Sequence, residues 1–375
     1  MEFEKYRLSQ LLTIKNGRDY KSLGQGSVPV FGSGGYMCSV DSYLYDRPSV
    51  LLPRKGTLSN IQYYNKGPFW TVDTCYYTIV NENLVDSYYV YRYLRNLNLS
   101  GLDTGASIPS MTQKTYNGIK ILLPNLSIQH RIDSILSTYD SLIENNTKRI
   151  RLLEKMAENL YKEWFSYGKI IKGGTIVRLT DIIQITRGLS YSTAEIDCEE
   201  GLDLINLKNI QAYGGFRYDG TKKFCGKYKN EQIVCEGDLV MGVTDMTQDR
   251  RTVGSVALIP KTDKLSVISA DLIKISSSIS SVFLFGMFKY GNVSKYVAQF
   301  ANGANVLHLR PKALHNIKVL LPNPNLINKY VDIVSPMVAE MNKLYVLSEK
   351  LARQRDLLLP RLMSGKLEVK EELLE

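Results

Sequence analysis

The residues of this chain that could do chemistry are suited to reading a polyanion rather than to breaking bonds. In the first half they are Arg18, Tyr20 and Lys21; Arg54, Lys55, Thr57, Ser59 and Asn60; and Ser107, Gln113 and Lys114. In the second half they are Arg187, Tyr191 and Ser192; Arg217, Lys222 and Lys223; Thr244, Asp245, Gln248, Arg250 and Arg251; and His308, Arg310 and Lys312. Lysine and arginine neutralise phosphate and fix register, while Arg, Asn, Gln and Asp match the donor and acceptor patterns of base edges in the major groove. Any one of these residues is equally well a solvated loop tip, because exposed lysine and arginine are common. As a set recurring in both halves, they favour a surface for duplex DNA.

Groups suited to catalysis are scarce. The stretch FGSGG (31–35) resembles the glycine loop of a methyltransferase, but its glycines are wrongly spaced and no Asn-Pro-Pro-aromatic motif follows, so a hairpin turn is the better reading. There is no G-x-x-x-x-G-K-[ST] phosphate loop. His130, His308 and His315 stand apart from cysteine or carboxylate clusters, so no metal site is expected. Five cysteines without a CxxC pair argue against zinc and against a disulfide framework. With 47 basic and 37 acidic residues the net charge is +10, the excess lying mainly on two globular stretches, and an anionic partner fits. No apolar run reaches membrane-spanning length and the N-terminus lacks a signal pattern, so a cytoplasmic chain with no membrane partner is expected.

The elements that must position those side chains are organised around residues 127–165. Ile132, Leu136, Tyr139, Ile143, Asn146, Ile150, Leu153, Ala157, Leu160 and Trp164 recur in steps of four and three. That 3.5-residue period predicts a coiled-coil helix of about 40 residues, about 60 Å long, with Ser127 as its N-cap. So narrow a seam needs a partner, and Tyr330, Val334, Met337, Met341, Leu344, Ser348, Leu351, Arg355, Leu358 and Leu362 supply one. Pro336 and Pro360 are expected to break or kink this second helix, leaving 337–359 as its uninterrupted part. Asn146 in the first seam reads either as a polar residue at a local gap or as a register lock.

The chain is also a tandem repeat. YRLSQLLTIKNG (6–17) aligns with VRLTDIIQITRG (177–188), TGASIP (104–109) with NGANVL (302–307), and IKILLPN (119–125) with IKVLLPN (317–323). Each copy is a globular unit followed by a long helix, and the second copy is longer in its loops. The expected division is 1–124 and 173–322 for the two globular units, with 125–172 and 323–375 as helical spacers. Strands are expected at 28–35, 50–57, 70–80, 237–242 and 253–260, and helices at 87–96 and 281–300, an α+β unit in each copy. Short links favour antiparallel packing of the two long helices, with a pseudo-two-fold relation between the copies.

In this order of parts the chain resembles the specificity subunits of type I restriction–modification systems. The resemblance covers essentially the whole sequence and rests on two units alternating with two helical spacers. It also rests on PVFGSGGYM (29–37), PRKGT (53–57) before WTVDTCYYT (70–78), ENLYKEWF (158–165) and LLLPRLMSGKL (357–367). It implies a fold of two similar target-recognition domains separated by an antiparallel coiled coil. It implies a protein that is not itself an enzyme and holds no cofactor, S-adenosylmethionine, ATP and magnesium belonging to its partners. Those partners would be double-stranded DNA, two methyltransferase subunits and restriction (translocase) subunits. Each domain would read one half of an asymmetric, bipartite site, the helices setting the gap. Two other readings stay open: a structural scaffold with two protein-binding modules on a coiled coil, and a self-sufficient DNA-modifying enzyme.

Overall fold

The computed structural model of the chain describes residues 2–97, 99–103, 109–165, 174–196, 198–262 and 264–369. Its contacts divide it into two units: 1–145 with 348–375, and 146–347. The division falls midway along both long helices, so each unit owns part of each.

The first unit opens with β1 (Glu4–Arg7), α1 (Leu8–Leu11), β2 (Leu12–Asn16), β3 (Gln25–Gly32), β4 (Gly35–Val40), β5 (Ser49–Pro53), β6 (Gln62–Tyr64), β7 (Trp70–Thr71) and β8 (Cys75–Val80). It continues through α2 (Ser87–Arg95), α3 (Gln113–Asn117) and β9 (Lys120–Leu123) into the long helix α4 (Leu126–Phe165). Strand order is β2-β8-β5-β6 in the main sheet and β4-β3-β7 in a smaller one, while β1 pairs with β9. Every residue of β5 is buried, as the near-continuous apolar run of a central strand requires. The FGSGG stretch is the expected hairpin turn between β3 and β4, with Gly35 at φ +118°.

The second unit repeats this plan. It contains β10 (Thr175–Arg178), α5 (Leu179–Ile182), β11 (Gln184–Arg187), β12 (Leu202–Ile205), β13 (Lys222–Phe224), β14 (Ile233–Val234), β15 (Leu239–Gly242) and β16 (Thr244–Asp245). Then come β17 (Val256–Leu258), β18 (Ser266–Ile268), β19 (Leu272–Ser276), α6 (Ser281–Lys289), α7 (Val293–Ala298), β20 (Leu307–His308), β21 (Lys318–Leu321) and α8 (Pro324–Met363). The main sheet β11-β19-β15-β17 matches β2-β8-β5-β6, and the β10–β21 ladder matches β1–β9. The extra residues of this copy are not all loop: some form the strand β14, and others the single helical turns at 207–209 and 218–220 between β12 and β13. The expected helix over 281–300 is two helices, broken at Asn292, which is left-handed at φ +62°. Cys198, before β12, and Cys225, directly after β13, form a disulfide. One disulfide is no framework; an isolated Ile196–Phe224 bridge brings these sequence-distant thiols together.

The long helices are antiparallel partners. In the first unit Asp140 of α4 pairs with Arg355 of α8 at 2.6 Å, and Ile132 and Leu136 share a core with Leu358 and Leu362. In the second, Arg149 of α4 meets Glu340 of α8 at 3.0 Å, and Ala157 and Tyr161 share a core with Tyr330 and Val334. All the expected seam positions on both helices are buried or half-buried, Asn146 among the buried ones. Two expectations are corrected. Helix α4 starts at Leu126, and its cap is Asn125, whose Oδ1 accepts the Ile128 N–H at 3.0 Å, not Ser127. Helix α8 runs unbroken from Pro324 to Met363 through both internal prolines. Pro336 and Pro360 lie on its exposed side, where water can satisfy the carbonyl that each leaves without an N–H donor.

Each unit ties its helix α2 or α6 to α4 with an ion pair, Arg92 to Asp140 in the first and Lys289 to Glu154 in the second, and the two differ in what surrounds that pair. In the first, Gln129 is fully buried and completely satisfied: its amide N–H groups donate to Leu84 O and Pro124 O, and its oxygen accepts the Asp86 N–H. Arg92 lies over the rings of Tyr88 and Tyr91 and pairs with Asp140, so one carboxylate of α4 joins α2 to α8. In the second, the joint is aromatic: Tyr161 and Phe165 of α4 pack on Phe283 of α6 and Tyr330 of α8. A Cβ at Gly286 would lie 2.9 Å from the Tyr161 ring, so the close approach of α6 to α4 depends on glycine there. Among the described residues no helix is long and apolar enough to cross a membrane.

Candidate nucleic-acid interface

In each unit one short segment organises the polar loops. In the first unit it is 71–74. On one side Thr71 O accepts the Arg18 N–H at 2.8 Å; on the other, Thr74 O accepts the Arg54 N–H at 2.9 Å. Gly17 makes the first contact possible, since a Cβ there would fall 2.1 Å from Val72 O. The Arg18 carbonyl accepts the Trp70 indole N–H at 2.8 Å, and Gln113 reaches Asn16, at the end of β2, at 3.1 Å. The loop after β5 is then stitched to the segment before α3: Met111 N–H donates to Arg54 O, Gly56 N–H to Pro109 O, and Lys55 bridges Ser110. Asn60 donates to Ser33 O at 2.6 Å, tying the same loop to the β3–β4 turn.

The second unit repeats the arrangement. Segment 268–272 accepts the Gly188 and Leu189 N–H groups on one side and the Val243 N–H on the other. Gly188 is as tight as Gly17, its Cβ position 2.0 Å from Ser269 O. Leu309 N–H donates to Val243 O, as Met111 does to Arg54 O, and the short β16–β20 ladder continues the pairing. The loop after the central strand of the main sheet therefore occupies the same place in both units, and most of the expected binding residues lie on it or beside it.

The structure sorts those residues. In the first unit Arg18, Lys21, Lys55, Thr57, Ser59 and Lys114 are exposed. Tyr20, Arg54, Asn60 and Gln113 are half-buried, Tyr20 against the Val30–Val40–Trp70 cluster, and Arg54 donates to Asp73 O at 3.3 Å. Ser107 lies outside the described residues. In the second unit Arg187, Gln248, Arg250, Arg251, His308, Arg310 and Lys312 are exposed. Tyr191, Lys222 and Lys223 sit apart, on or beside the unit's second four-stranded sheet, β13-β12-β18-β14, with Lys222 over the Tyr191 ring. Arg217, Lys223 and Arg251 are already paired with Asp219, Asp203 and Asp249. Ser192 is engaged with Glu195, its N–H and hydroxyl 2.8 and 2.9 Å from Oε2.

Thr244 and Asp245 differ from the rest in being buried. The Thr244 hydroxyl donates to Asp271 at 2.9 Å. Asp245 accepts the Thr247 N–H and hydroxyl on one oxygen, and the Thr252 and Val253 N–H groups on the other. Burial opposes its ionisation, but the backbone N–H groups of Thr252 and Thr247 outweigh that and hold its carboxyl down at about 2. It is a carboxylate throughout the neutral range, clamping the two ends of one loop.

Sequence reasoning missed the apolar side chains on these surfaces. Tyr36, Met37 and Tyr43 are 63%, 49% and 57% exposed on and beside β4, and Met246 is 73% exposed at the tip of the 246–251 loop. The available signal was a large apolar residue inside an otherwise polar turn, which a folded core does not explain.

Comparison with known proteins agrees with this geometry. Residues 1–155 match the family described as type I restriction modification DNA specificity domain. The MjaVIII specificity subunit of a type I restriction enzyme from Methanocaldococcus jannaschii is 25% identical over 266 residues, 65% of this chain and 61% of that protein. The MjaIX specificity subunit from the same organism is 21% identical over 359 residues, 88% of this chain and 79% of that one. The match thus spans less than two-thirds of the first relative's length. In fold, the chain is similar to the S subunit of a type I restriction-modification system from M. genitalium, with a TM-score of 0.69 at 15% identity over 96% of each chain.

Proposed function

We propose, for a chain whose first 155 residues are a type I restriction modification DNA specificity domain and whose fold is that of an S subunit, that each of its two units reads one half of a bipartite DNA site. The observation that carries this reading is the repeated platform: a loop after a central strand, held at matched positions by segments 71–74 and 268–272, with different side chains at the two tips. Two unlike tips on one scaffold suit an asymmetric site, whereas a true dimer would favour a palindrome. The paired helices α4 and α8 would set the gap between the half-sites. Recognition is the task of this chain in the proposal. Methyl transfer from S-adenosylmethionine, and ATP-driven translocation with magnesium, would belong to methyltransferase and restriction subunits docked on it. The chain would act in the cytoplasm, where such a complex meets DNA.

Footprinting of the complex reconstituted with its methyltransferase subunits tests the proposal. The expected result is protection of one duplex sequence in two separated patches, with affinity falling steeply and log-linearly as salt rises. A complex that binds no DNA would instead favour a protein-binding scaffold.

A further inference from the structure

Within the 246–251 loop, one guanidinium is both presented and unoccupied. Arg251 is paired with Asp249, and Gln248 spends its amide N–H on Ala304 O at 2.8 Å. Arg250 is exposed and has no hydrogen-bond or ion-pair partner among the described residues. Its backbone is left-handed at φ +53°, a conformation that arginine adopts rarely and that persists only where neighbours impose it. The neighbours are explicit. Asp245 accepts Thr247 N–H at 2.8 Å before the tip and Thr252 N–H at 2.6 Å after it. The Arg251 carbonyl accepts the Tyr213 N–H and the Ser255 hydroxyl, both at 2.8 Å. Gly254, at φ +76°, lets the exit strand pass against α7, where a Cβ would meet Ser294 O at 2.8 Å.

A cation that only neutralises phosphate needs no such fixing, since a flexible lysine or arginine serves as well. A guanidinium that must present its planar fork to the O6 and N7 acceptors of a guanine does need it, because the discrimination comes from two hydrogen bonds in one plane. We infer that Arg250 is a specificity-determining residue of the second unit, reading a guanine in the major groove, and that Asp245 is its positioning residue. The inference rests on the proposed reading that each unit recognises one half-site, and names the atom-level reader in one of them.

The test uses the whole chain in complex with its methyltransferase subunits, with recognised sequences selected from a randomised duplex library. Arg250→Lys keeps the charge and removes the fork; its surface position leaves folding intact. The expected result is that one G·C position in the second half-site loses about 10- to 100-fold of its discrimination, while the first half-site and the salt dependence stay as in the wild type. Asp245→Asn is expected to relax the same position, because the weakened clamp frees the loop. Should this buried substitution unfold the unit, Arg250→Lys still decides. The inference is overturned if Arg250→Lys keeps full discrimination at every base pair, or if Arg250→Ala weakens all sequences equally and lowers the salt slope. Selection of no second half-site by the wild-type complex would be a different failure, that of the two-unit reading itself.

Discussion

Asp133 of α4 is 8% exposed, and its carboxyl is hydrogen-bonded to that of Asp86. Burial, with Asp86 alongside, pushes it up to about 10, so it is a neutral acid at pH 7. Asp86 is itself opposed by burial. The neutral neighbour and the Tyr89 and Tyr88 N–H groups that it caps nevertheless hold it below its ordinary value. A carboxyl raised in the folded state favours that state fully below its unfolded value near 3.8, and the benefit declines as pH rises toward the folded value. Asp133→Asn should therefore stabilise the protein at pH 8, by about 1–3 kcal/mol, and much less at pH 5. Thermal melts at the two pH values check this, and equal shifts at both would contradict it. None of this was legible in the sequence, where Asp133 is one polar residue on an amphipathic helix. The candidate binding residues were recognisable as a composition, and the structure gives them different environments. Thr244 and Asp245 looked like Arg250, and only hydrogen bonding separates the clamp from the tip.

At the scale of elements, Arg355 is a charged residue in an otherwise mostly apolar seam. It is the partner of Asp140, which also receives the buried Arg92 of α2. Removing Asp140 leaves the Arg92 guanidinium, 5% exposed, without its carboxylate, whereas Arg355 keeps Asp356. Asp140→Ala should cost about 3 kcal/mol in urea unfolding, and Arg355→Ala, at a more open site, about 1 kcal/mol. Equal losses would show that the pair, rather than the three-way junction, matters. The period of the seams revealed both helices and their partnership, because a narrow apolar stripe has one remedy. It could not reveal where α8 starts, since a proline penalty depends on whether water reaches the freed carbonyl, and that is a property of the packed helix. The 281–300 helix divides at Gly291-Asn292, a pair with a local signal, since glycine weakens a helix and asparagine tolerates the left-handed conformation better than most residues. The Cys198–Cys225 disulfide had no local signal, its sulfurs being joined by a bridge between distant segments.

For the whole molecule, the internal repeat was the most informative feature of the sequence. The paired glycines Gly17 and Gly188 proved to mark the same close backbone approach in both copies. What the repeat could not supply is the sequence each unit would read on the proposed function, because the two copies diverge in their loops. If the paired helices set the gap between half-sites, deleting one heptad from each should change the preferred gap and leave both half-sites as they were. An unchanged gap would place the ruler elsewhere. The central claim, two unlike reading units on one chain, is tested most directly by mapping methylated adenines in a host that lacks other DNA methyltransferases and expresses this chain with its methyltransferase subunits. The account predicts one asymmetric sequence in two parts separated by a fixed run of unspecified bases. A single uninterrupted or palindromic sequence would contradict it.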